Sequence, residues 1–182
     1  MATLSKKGLK EWAVGIGTEN QAVLAIGFTD IAGSTVLNRQ LGDERMSEVR
    51  DAHFAHSHML CQEYHGYVVK TLGDGLLVAF HAATHALDFL LALRADTGHE
   101  LVTLHAGLYV GPVVIQDNDV FGTTVNYTAR LEGAAKRDEI LVSASVKAHI
   151  DTYGAQRHMT LQWAKRIHKL QGFDRRPIWA VQ

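Results

Sequence analysis

Short apolar runs along the chain are separated by longer stretches in which apolar side chains recur every three or four positions, as when strands alternate with helices. In the first run, Ala22 to Asp30, Leu24, Ile26, Phe28 and Asp30 share parity, so a strand presents them on one face. From Ser34 to about His65 the period is helical, broken near Gly42, and Asp43 can cap a second piece carrying Met46, Val49, Ala52, His53, His56, Met59 and Leu60. Two strands follow, Tyr67 to Leu72 and Leu76 to His81, and Gly73-Asp74-Gly75 between them is a hairpin signal. Ala82 to Ala95 reads as a helix with Ala86, Phe89, Leu90 and Leu93 on one side. Leu101 to Val110 and Pro112 to Gln116 read as strands, the second as a projecting arm. A helix over Phe121 to Ala135, a strand over Ile140 to Ser143 and a helix over Ser145 to Tyr153 come next. Strands near Arg157 to Gln162 and Pro177 to Val181, with a turn at Gly172, complete the pattern. Hairpins among alternating strands and helices favour an α+β fold, a mixed β-sheet with helices on one face, over a doubly wound parallel sheet. Residues 1–20, with Lys6, Lys7 and Lys10 ahead of Trp12 to Gly17, read as a lead-in whose short helix packs on the domain or its partner. Residues 21–182 read as one domain.

Composition narrows the function classes. With 182 residues, 47% hydrophobic and 20% charged, the chain can bury one substantial core. A net charge of −1, with no basic stripe interleaved with aromatics, argues against a nucleic-acid binder. Cys61 is the single cysteine, so no internal disulfide forms. No apolar signal segment stands at the start and no run approaches the ~20 residues of a membrane span, so the expected location is cytoplasmic. His53, His56 and His58 cluster, but no acidic or cysteine partner nearby completes a ligand set, and ordinary solvated or half-buried histidines are expected.

Candidate chemistry gathers at a few points. Asp30 stands at the carboxyl end of its strand, where open sheets hold ligands. Gly33, Ser34 and Thr35 can open a helix whose free amides suit a phosphate, although a plain capped helix has the same pattern. Asp74 sits at the hairpin tip; if its strand neighbours that of Asp30, the two carboxylates converge and suit Mg²⁺ or Mn²⁺. Otherwise Asp74 satisfies its own turn. Lys70, inside VVKTLGDGLLVAF, either contacts a ligand or snorkels from an edge. Asn126 and Arg130 lie four apart, so a helix sets an amide and a guanidinium on one face, suited to a ribose and a phosphoryl group or simply to water. Asp119 lies in the polar turn DNDVFG.

Together FTDIAGST, VVKTLGDGLLVAF and DVFGTTVNYTARLEG, in that order and spacing, resemble the catalytic domain of the class III nucleotidyl (adenylyl and guanylyl) cyclases. The resemblance runs from about Leu24 to Val142 and on towards the end of the chain. It implies a ferredoxin-like, palm-type mixed β-sheet, and a head-to-tail homodimer with active sites at the interface. By it, Asp30 and Asp74 hold two divalent ions, Mg²⁺ or Mn²⁺, assisted by the Ile31 carbonyl. Amides from Ala32, Gly33, Ser34 and Thr35, with the Thr35 hydroxyl, cradle a triphosphate. From the other subunit, Lys70 and Asp119 read the base, Asn126 orients the ribose and Arg130 stabilises the transition state.

The implied reaction turns ATP into 3′,5′-cyclic AMP and pyrophosphate. Asp119 can accept from an exocyclic amine while Lys70 donates to a ring nitrogen, the adenine pattern; members that use GTP resemble a Glu/Cys pair at these positions. Two departures stand out. Gln171 falls where the family often has a phosphate-contacting Lys, with Lys169 nearby, and Tyr109 and Pro112 replace a His and, in some members, an Arg. Those departures keep a catalytically weak, nucleotide-binding dimerisation module as the alternative, beside a guanylyl cyclase. A diguanylate-forming palm domain is disfavoured because the hairpin reads LGDGLL.

Overall fold

A computed structural model describes residues 8–13, 17–18, 20–154, 160–168, 170–174 and 176–181. The elements run α1 (Leu9–Trp12), β1 (Gly17–Thr18), β2 (Gln21–Ile31), α2 (Ser34–Leu41), α3 (Asp43–Glu63), β3 (Tyr67–Leu72), β4 (Gly75–Phe80) and α4 (Ala83–Ala95). They continue with β5 (Leu104–Gln116), β6 (Asp119–Phe121), α5 (Thr123–Ala134), β7 (Ile140–Ser143), α6 (Ala144–Tyr153), β8 (Trp163–His168) and β9 (Arg176–Val181). The expected break at Gly42 separates α2 from α3, because Gly42 takes φ 80°, a left-handed value that suits glycine.

One mixed sheet organises the domain, in the order β3-β4-β2-β5-β7-β9-β8, with β1 on β2 and β6 on β5. Its pairs are antiparallel except β5 with β7. The α+β fold with a mixed sheet and packed helices is therefore as expected, but the helices cover both faces rather than one. On one face Cys61 of α3, Phe89 and Leu90 of α4 and Val146 and Ile150 of α6 pack over Val78, Phe80, Leu104, Ala106 and Val142. On the other, Leu9 of α1 meets Leu24, Ile26, Leu77 and Ala79, and Tyr127 and Leu131 of α5 meet Leu141 and Ile178. Strands buried on both sides lose the alternation that marks a half-exposed sheet, and all six residues of β4 are buried.

Leu104 to Gln116 form one long strand, not two. Pro112 is accommodated within it opposite Val23, in the stretch between Leu108, the last residue paired with β7, and Val114, the first paired with β6. From Pro112 onward the segment forms a hairpin arm, β6 returning along β5 after a turn at Asp117 and Asn118, but it does not project: Val113, Ile115 and Val120 are buried against Leu24, Ile26, Leu77 and Ala79. Near the end the strand falls at Trp163–His168 instead of 157–162, of which residues 155–159 lie outside the described part.

Candidate active site

Strand order brings the two predicted carboxylates together. β2 and β4 are neighbours, with Thr29 opposite Leu76, so Asp30 at the end of β2 meets the β3–β4 turn that carries Asp74. Asp30 Oδ1 lies against Gly75, where an added Cβ would stand 3.1 Å from it. The Asp30 carboxyl is pushed above the usual carboxylate range, first by burial and then by the charges of Glu132 and Asp74, while His105 and the Ile31 amide pull the other way. Carboxylates whose charges act on one another at a half-buried sheet end fit a hard divalent cation.

Three neighbours of this pair escaped the sequence reading. His105 on β5 stands opposite Asp30 in register, and its Nε2 is 3.6 Å from Asp30 Oδ2. Its Nδ1 is 2.9 Å from Glu132 Oε1 on α5, and that hydrogen bond is the largest cause raising the imidazole pKa. Ligand atoms of Asp30, His105 and Glu132 all lie within 4.8 Å of one another, so the three could hold a metal ion. The ring stands between the two acids, one nitrogen toward each, and so also orients Asp30. The third is Arg50 on α3, whose Nη1 is 3.2 Å from Asp74 Oδ1. Glu132 sits in the quoted ARLEG and could have been noticed two positions after Arg130; the register of His105 and the reach of Arg50 have no sequence signal.

Beyond Asp30 the chain turns at Ala32 and Gly33 into α2, with Gly33 at φ 75°. Ala32 N–H donates to the Thr103 carbonyl at 2.8 Å, which leaves the amides of Gly33, Ser34 and Thr35 for an anion. A concave space of about 300 Å³ adjoins them, lined by Ser34, Thr35, Asn38, Arg50 and Asp74 among others.

Lys70 and Asp119, separated by 49 positions, form an ion pair with Nζ to Oδ2 at 2.5 Å. In the sheet β3 and β5 are separated by β4 and β2, so the β5–β6 arm must fold back over the face for Asp119 to reach Lys70. Asp119 is thus the first residue of β6 rather than part of the turn, which is Asp117-Asn118.

Asn126 and Arg130 share the outer face of α5 and are exposed, while Thr124, Tyr127, Thr128 and Leu131 face the sheet. Among the described residues, no hydrogen bond or ion pair engages either side chain. The helix lies close because β5 presents glycines beneath it: a Cβ at Gly107 would meet Thr128 O at 2.6 Å, and one at Gly111 would meet Thr124 Oγ1 at 2.5 Å.

Gln171 is exposed in the turn that Phe173 N–H closes on the Leu170 carbonyl; Lys169 lies outside the described residues. Tyr109 packs its ring 4.7 Å from that of Tyr127. Of the histidines, His53 is buried and bonded to the Thr97 carbonyl at 2.7 Å. His56 lies 3.5 Å from Asp96, an acidic partner that only the fold supplies.

Residues 17–172 match the family model described as the adenylate and guanylate cyclase catalytic domain. The chain belongs to that family. It is 37% identical over 124 residues to an adenylate cyclase of Streptomyces coelicolor (strain ATCC BAA-471 / A3(2) / M145), covering 67% of this chain and 32% of that relative. The chain thus spans about a third of the length of the first curated relatives it matches. Its fold is similar to the adenylyl cyclase CyaB from P. aeruginosa, with TM-score 0.78 and 20% identity over 89% of this chain and 94% of that one. It is likewise similar to the guanylate cyclase domain of RhGC from Catenaria anguillulae in complex with GTP, with TM-score 0.74 and 21% identity over 90% of this chain and 96% of that one. Among the described residues no helix is long and apolar enough to cross a membrane.

Proposed function

We propose that residues 21–182 are the catalytic domain of an adenylyl cyclase, preceded by the lead-in 1–20, converting ATP to 3′,5′-cyclic AMP and pyrophosphate at sites shared by two copies of the chain. The carrying observation is the Lys70–Asp119 pair. It offers one donor and one acceptor side by side, matching the ring nitrogen and exocyclic amine of adenine. Guanine reverses that edge and would leave the Lys70 donor and the Asp119 acceptor without a match on the base. The relative named adenylate cyclase supports the same base.

Two ions, Mg²⁺ or Mn²⁺, held by Asp30, Asp74 and the Ile31 carbonyl, would lower the pKa of the ribose 3′-hydroxyl and offset phosphate charge. The chain's own groups do the positioning. Amides of Gly33 to Thr35 and the Thr35 hydroxyl hold the triphosphate, and Asn126 orients the ribose so that its 3′-oxygen faces the α-phosphorus. As that bond forms and the α–β bridge breaks, negative charge grows on the phosphoryl oxygens, where Arg130 stabilises it. No protein nucleophile is required. Exposure of Asn126 and Arg130, with no described partner, supports their facing a site on a second copy. The cytoplasmic location belongs to the same proposal.

Incubating the purified protein with ATP or GTP, each with Mg²⁺ or Mn²⁺, tests this reading. Cyclic AMP from ATP is expected; faster cyclic GMP formation would overturn the base choice. The exposed Gln171 favours one second reading, a weak nucleotide-binding module. ATP binding without cyclic product under either metal would favour it.

A further inference from the structure

We propose that α1 is a brace for the base-reading pair, with Asn118 and Trp12 as positioning residues for nucleotide selection; the kinetic part rests on the adenylyl cyclase reading above. Lys70 and Asp119 are not held by a shared ladder, because β3 and β5 are separated by β4 and β2. Their own ion pair is partly exposed, with 40% and 23% of the two side chains accessible, and such pairs lend little rigidity. The hairpin carrying Asp119 is slight: β6 has three residues, and its turn sets both Asp117 (φ 51°) and Asn118 (φ 60°) in the left-handed region.

The four-residue helix α1 touches both sides of this arrangement. Its N-cap is Gly8, which has no side chain to satisfy the first amides. The cap comes instead from 109 positions away, where Asn118 Oδ1 accepts the Leu9 N–H at 3.0 Å. Leu9 itself is fully buried in a cluster with Val113, Ile115 and Val120, the body of the arm. At the helix's other end the Trp12 ring lies 5.6 Å from Tyr67, which opens β3 three residues before Lys70, and stacks on His81 at 3.9 Å. One turn of helix is unstable alone, so these contacts are what hold it. In return they tie β3 to the β5–β6 turn, next to the two residues that must keep their spacing. Helix α1 thereby acts on the base-reading pair through the strands that carry it.

Three variants test the brace. Asn118→Gly retains the left-handed turn and removes the acceptor; Asn118→Asp retains an acceptor oxygen; Trp12→Ala removes the Tyr67 and His81 contacts. The first readout needs no catalysis: the acylation rate of the Lys70 amine by mass spectrometry, with exposed Lys136 as internal reference. The second is KM against kcat for ATP and GTP. In Asn118→Gly and Trp12→Ala, Lys70 labelling and the KM for ATP are expected to rise about fivefold, the size of one lost hydrogen bond, with a weaker ATP-over-GTP preference and little change in kcat. Asn118→Asp should stay close to wild type. Unchanged Lys70 labelling in both disrupting variants overturns the brace, as does an equal loss of kcat for both nucleotides at unchanged KM. If the wild-type protein forms no cyclic nucleotide at all, the activity reading falls while the labelling rates still decide the brace.

Discussion

Arg50 Nη1 lies 3.2 Å from Asp74 Oδ1, so one oxygen of a proposed metal ligand already has a cationic partner on α3. An incoming divalent ion competes with that guanidinium, and the pair is part-exposed, in the range worth up to about 1 kcal/mol. Arg50→Ala should therefore lower the Mn²⁺ concentration for half-maximal activity by about two- to fivefold. Metal titrations at saturating ATP check this; a higher requirement would mean that Arg50 assists the cation instead of opposing it.

Shared sites make a second expectation. Asp30→Ala and Arg130→Ala should each abolish cyclic AMP formation without disturbing the fold, since both side chains sit at the margins of the packed core. Mixing the two variant chains should return part of the activity, because one of the two sites in each heterodimer carries both wild-type halves. Heterodimers that form and remain inactive would show that a site is built within one chain.

Reversing the base-reading edge should reverse selectivity. Replacing Lys70 by Glu and Asp119 by Cys removes the donor and acceptor that suit adenine and is expected to shift the kcat/KM ratio toward GTP by tenfold or more, on the order of 1.4 kcal/mol. Either single change leaves an unpaired polar group and should lower turnover of both nucleotides. Comparing kcat/KM for the two nucleotides decides it.

At Gly107 an added Cβ would meet the backbone of α5 at Thr128 and Glu132, neither of which can swing aside as a side chain does. Gly107→Ala should cost about 1–3 kcal/mol by pushing the helix off the sheet. Denaturant unfolding should read this as a lower midpoint at unchanged slope. Glu132 would move away from His105, so the metal requirement should rise as well.

A pH effect on stability follows from His53. Burial holds its pKa below the ordinary value of 6.5, the Thr97 carbonyl bond opposes that, and the nearby His56 adds to the lowering. Unfolded, the same imidazole takes up a proton near pH 6.5, so the folded state binds fewer protons below that pH. Its contribution is fully present above about pH 6.5 and is lost as pH falls toward the lower folded value. Melting temperatures from about pH 8 to about pH 5 should fall less steeply for His53→Gln, whose amide can still donate to Thr97, than for wild type. Equal slopes would remove His53 from the account.

The sequence by itself determined the order of the elements from β2 to α4, together with α5, β7, α6 and β9, the break at Gly42, the hairpin at Gly73-Asp74-Gly75, the family, and the chemical types of Asp30, Asp74, Lys70, Asp119, Asn126 and Arg130. These are local matters: side-chain periodicity and turn chemistry act over a few residues and survive in the string. Only the tertiary structure decided that helices cover both faces, since continuous apolar strands such as β4 carry no mark of which side is covered. It also set His105 opposite Asp30, brought Arg50 to Asp74, and folded the β5–β6 arm until Asp119 met Lys70 and Asn118 capped α1. Strand register, the docking of α3 and the reach of an arm depend on how distant faces pack, and no period along the chain encodes that.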